Sequence, residues 1–91
     1  MAPFLGGSAN AMAAQVADGY TLVTAVQLKR LSDAELGQLG FELERTLRDL
    51  RGSVVPQDDL PGIQLRNRKI TRLTGALRQI QETLAKRRRG W

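Results

Sequence analysis

The chain has no cysteine and no histidine. Without thiols it has no disulfide framework and no thiolate centre. Without imidazole it lacks the commonest general base and metal ligand. Aromatic residues make up 4% of the sequence, so few large rings are available for a core or for stacking. No run approaches the 18 or so apolar residues of a membrane-spanning helix, and no membrane contact is expected. The opening Met1 to Ala14 lacks both a basic stretch and a sustained apolar run, which reads against a secretory signal and favours a cytoplasmic setting.

Catalytic chemistry is equally hard to find. Ser8, Ser32 and Ser53 have no His or Cys to activate them, and no lysine sits in an apolar setting that would lower its pKa. Asp58 and Asp59 are neighbours in a turn, better placed to cap a helix than to share acid and base work. The carboxylates lack EF-hand spacing and the glycines form no phosphate loop. The expectation is a protein that is not an enzyme and that uses no metal and no cofactor.

Positive charge is what the chain does have, and it is unevenly placed. Residues 63 to 91 carry nine basic residues against one acid, Glu82, whereas residues 1 to 62 carry five against eight. A net charge of +5 therefore conceals a basic C-terminal third at +8 and a remainder at −3. Clustered Arg and Lys gain most from a partner whose many phosphates release counterions together.

The strongest local signal is Leu31-Ser-Asp-Ala-Glu-Leu36. Ser32 and Glu35 have the spacing of a capping box, with Leu31 and Leu36 at the positions of a hydrophobic staple and Asp33 at the positive helix end. Leu36, Leu39, Leu43, Leu47 and Leu50 then form one apolar stripe, which Gly52 to Pro56 ends. Gly37 and Gly40 inside this helix cost about 1 kcal/mol each relative to Ala, which points either to close approach of another backbone or to sequence drift. Asp58 and Asp59 supply a cap for a second helix starting between 60 and 64. Its stripe is Ile63, Ile70, Leu73, Leu77, Ile80 and Leu84, a heptad-like seam.

Two striped helices with a short link predict an all-α fold, an antiparallel two-helix hairpin with coiled-coil-like packing. Residues 1 to 19 mix Gly, Ala, Ser and Asn without a lasting period and are expected to be a flexible segment. The hairpin domain is expected over 20 to 85 and a basic tail over 86 to 91. A short helix over 24 to 29 is favoured at its start. The alternative is a strand over 20 to 26 paired in a dimer, since Tyr20 to Val26 has β-forming composition.

Nine residues are candidates for nucleic-acid binding: Arg66, Arg68, Lys69, Arg72, Arg78, Lys86, Arg87, Arg88 and Arg89. Guanidinium forks match phosphate oxygens, and a basic rod can lie along RNA backbone and read its shape. Arg66 and Arg87 fall on the seam side, and the others outside or beside it. The competing expectation is a solvated face with salt links to Glu42, Glu44 and Asp49. Trp91 is a candidate for base stacking or for packing on a neighbour, the alternative being no role at all. Gly37, Gly40, Phe41 and Leu65 are candidates for a protein contact.

Leu31, Ser32, Asp33, Glu35 and Leu36, then the Leu50-Arg51 pair, then Lys69, Ile70, Arg72, Leu73 and Leu77 together resemble the bacterial ribosomal protein uL29 family. The likeness covers roughly residues 28 to 84. It implies a small antiparallel helical hairpin that binds large-subunit ribosomal RNA near the polypeptide exit tunnel, with ribosomal RNA and ribosomal proteins as partners. The alternative from the residues themselves is a small helical adaptor that self-associates or binds another protein.

Overall fold

Each helix starts at a residue whose side chain answers the free amides of a first turn. The computed structural model describes residues 7–89 and contains four helices: α1 (Ala9–Asp18), α2 (Ala25–Lys29), α3 (Asp33–Gly52) and α4 (Leu60–Arg89). Among the described residues all regular structure is helical. Residues 1–6 and 90–91, the latter including the stacking candidate Trp91, lie outside the described residues.

The Ser8 hydroxyl accepts from the Ala11 amide and caps α1. Thr24 and Gln27 form a capping box on α2, and Ser32 and Glu35 form the expected one on α3, at 3.1 Å and 2.8 Å. Leu31 and Leu36 are both buried, as a staple requires. Asp59 accepts from the Gly62 amide at 3.1 Å and caps α4. The favoured short helix over 24 to 29 is thus present as α2, and residues 20–24 are neither helix nor strand.

α3 buries Leu36, Leu39, Leu43 and Leu47 along one face, with Leu50 half-buried at its end. On α4 the fully buried line is Leu73, Ala76 and Ile80, whereas Ile70, Leu77 and Leu84, the heptad positions, are only partly buried. The seam is displaced toward Ala76 because α4 packs against α1 as well as α3. An alanine there lets a third helix come close.

That third helix corrects the expected flexible segment. Residues 9–18 form α1, which inserts Met12, Ala13, Val16 and Ala17 into the core against α3 and α4. The buried face repeats at four residues, but half of it is alanine, which carries little hydropathic contrast. Gly19 ends α1 in the left-handed conformation at φ 81, with the Gly19 amide donating to the Val16 carbonyl and the Tyr20 amide to the Gln15 carbonyl. This is a Schellman closure. Of the expected basic tail, Lys86 to Arg89 lie within α4.

Candidate nucleic-acid interface

The nine basic candidates on α4 divide into two groups with different work. Arg66 donates from Nε to the Leu50 carbonyl at 2.8 Å and from NH2 to the Arg51 carbonyl at 3.0 Å. Arg72 donates from NH1 to the Ala17 carbonyl at 3.1 Å. Arg87 donates from NH2 to the Leu28 carbonyl at 3.1 Å and from NH1 to Asp33 Oδ1 at 2.8 Å. Each arginine meets the C-terminal end of a different preceding helix, where carbonyls have no partner inside the helix and carry partial negative charge.

Lys69 pairs with Asp18 at 3.4 Å, beside the Arg72 contact. Four of the nine candidates therefore make bonds within the fold, and of these Arg87 keeps three N–H donors and also lines a surface depression. The expected links to Glu42, Glu44 and Asp49 take another form: among the described residues Glu42 pairs with Arg45 within α3 at 3.8 Å, and the pairs between elements use Asp18 and Asp33. Acids at helix ends win because they meet a fixed basic side chain there.

Arg68, Arg78, Lys86, Arg88 and Arg89 remain. All five are exposed, and none makes a side-chain hydrogen bond or ion pair among the described residues. At 100° per residue, Arg68, Arg78, Lys86 and Arg89 project from the side of α4 opposite Leu73. Arg88 lies one turn past Leu84. Glu82 is the acid on this helix and shares a depression with Lys86, Arg88 and Arg89. The face can hold a polyanion over much of the helix, with its positive end at the C-terminal turns.

Lys29 belongs with this face, although nothing in its place along the chain signals it. It lines a depression of about 190 Å³ together with Ala25, Thr83, Lys86 and Arg87. Only the packing of α2 on α4 makes the two lysines neighbours.

The protein-contact candidates are not gathered at one place. Gly37 and the exposed Phe41 border one depression with Ala9 and Ala34, whereas Gly40 faces inward. Neither glycine meets the expected close backbone among the described residues: a Cβ at Gly37 would have nothing within 4 Å, and one at Gly40 would have only the Ile80 Cγ2 at 3.9 Å. Leu65 is exposed next to Arg66, at the other end of α3 from Asp33. A larger exposed apolar group, which β-forming composition alone does not mark as a surface, comprises Tyr20 at 83%, Leu22 at 79% and Val26 at 62%.

Among the described residues no three His, Cys, Asp or Glu side chains converge as a metal site, and no helix is long and apolar enough to cross a membrane. Comparison with protein-family models, curated proteins and solved structures returns no match for this chain.

Proposed function

We propose that this chain is an RNA-binding structural protein that grips phosphate backbone with the outer face of α4, and that its RNA is that of the large ribosomal subunit. The observation that carries the reading is the group of five exposed cations on α4 that have no partner among the described residues, once Arg66, Lys69, Arg72 and Arg87 are accounted for. Charged side chains with no internal partner are free to exchange counterions for phosphates. In this reading α3 and α4 form an antiparallel hairpin. The Arg66 contacts at one end and the Arg87 contacts at the other support that arrangement. The resemblance of residues 28 to 84 to the uL29 family supplies the ribosome as the particular partner, in the cytoplasm and beside other ribosomal proteins.

The test is co-sedimentation with large ribosomal subunits, alongside light scattering of the purified protein before and after nuclease. A ribosomal RNA binder is a monomer that retains nucleic acid and travels with the subunits. A nuclease-resistant dimer absent from ribosome fractions supports the second reading, a helical adaptor that self-associates or docks on a protein. The exposed Tyr20, Leu22 and Val26 favour that alternative, since they offer a partner large apolar side chains close together in the chain.

A further inference from the structure

We infer that the depression between α2 and the last turns of α4 seats one phosphate of an RNA backbone, held by Lys29, Lys86 and Arg87. The inference rests on the RNA reading and names a place where that contact is made.

Arg87 is the fixed member. Its bonds to Asp33 and to the Leu28 carbonyl use two of its five N–H donors, so the guanidinium is held in place with three donors free. Lys29 and Lys86 are exposed, line the same depression and have no ion-pair partner among the described residues. Asp33 offsets one of the three positive charges, and the site keeps an excess of two. Ala25 keeps one wall small, which leaves the depression open to a phosphate. The Thr83 hydroxyl already donates to the Gln79 carbonyl at 2.8 Å, so the donors left for an anion are the three cations.

Other basic depressions are less favourable. The one bordered by Arg88 and Arg89 includes Glu82, and the one bordered by Arg48 and Arg51 includes Glu44. A carboxylate beside an incoming phosphate offsets part of the attraction. Lys86 borders both the Lys29 and the Arg88 depressions, so a backbone leaving the first crosses a cation on its way to the second.

The experiment uses the full chain, a short labelled RNA hairpin followed by fluorescence anisotropy across a salt series, and inorganic pyrophosphate followed by amide NMR. In the Lys29→Gln/Lys86→Gln variant the slope of log affinity against log salt should fall by about 0.7 to 0.9, the value for the one phosphate no longer neutralised, with an unchanged urea midpoint. Pyrophosphate should shift the Ala25, Lys29 and Thr83 amides of the parent protein and leave them in place in the variant. An Arg68→Gln/Arg78→Gln variant, altered outside this depression, should keep the pyrophosphate shifts.

If the parent protein binds RNA but the lysine variant keeps its full slope, the seat is overturned while the RNA reading stands. If the parent binds no RNA, both are overturned, and pyrophosphate shifts would then mark a site for another phosphate. Binding to phosphatidylglycerol vesicles in place of RNA would overturn the assignment in favour of a lipid headgroup.

Discussion

The Arg72 guanidinium occupies the space that a side chain at Gly19 would need. A Cβ at position 19 would lie 2.8 Å from Arg72 Cζ, while Arg72 NH1 donates to the Ala17 carbonyl two residues earlier. Gly19 is thus required by its positive φ, and a side chain there would in addition displace the flexible end of Arg72. The pair ties the end of α1 to the middle of α4, which is how a short N-terminal helix stays on the core.

Gly19→Ala should therefore destabilise the protein by about 2 kcal/mol or more, combining left-handed strain of about 1 to 2 kcal/mol with displacement of Arg72. In urea unfolding, Gly19→Ala/Arg72→Ala should cost less than the sum of the single changes. Removing the guanidinium removes the collision, so part of the penalty is shared. Strict additivity would show that the two residues do not interact.

Arg66 and Arg68 are two residues apart and should behave oppositely. Arg66→Ala strips the last carbonyls of α3 of a charged donor and should cost about 1 to 3 kcal/mol in urea denaturation. Arg68→Ala should stay within about 0.5 kcal/mol of the parent, because the exposed side chain touches nothing that folding needs. Equal losses from the two changes would remove the distinction between arginines bonded within the fold and arginines exposed to solvent.

Met12→Ala tests whether the N-terminal helix is part of the folding unit. Met12 is fully buried among α1, α3 and α4 residues, so its truncation should cost about 2 to 5 kcal/mol and lower the thermal midpoint. Limited proteolysis should spare residues 9–18 in the parent protein and cut them in the variant. A flexible extension would show neither effect.

These contrasts follow what could be read in the sequence and what could not. The α3 cap and stripe are legible because Ser32, Glu35 and the leucines act over three or four residues, the range a local pattern reports. The same holds for the Asp59 cap and the start of α4. α1 is hidden because Ala13 and Ala17 fill half of its buried face, and alanine marks neither a core nor a surface. The roles of the arginines are illegible for a different reason. The carbonyl that Arg87 meets is 59 residues away and the one that Arg72 meets is 55 away, so only the assembled fold says which basic side chains are occupied. Lys29 joins Lys86 for the same reason.

RNA binding should divide the basic residues along that line. Arg68→Gln, Arg78→Gln and Arg89→Gln each remove an exposed charge that the fold does not use. Each should reduce the salt slope of RNA affinity by about 0.7 to 0.9 for every phosphate it no longer neutralises, with little change in unfolding. Lys69→Gln should barely alter that slope, because its ammonium is already paired with Asp18. Arg72→Gln should lower stability while leaving the slope near the parent value, since its guanidinium is committed to α1. The informative comparison is between neighbours on one helix turn, Arg68 against Lys69 and Arg72. A basic helix acting as an undifferentiated charge rod would give all three the same slope change. A helix that spends part of its charge on holding the bundle together would give a large change at Arg68 and small ones at Lys69 and Arg72.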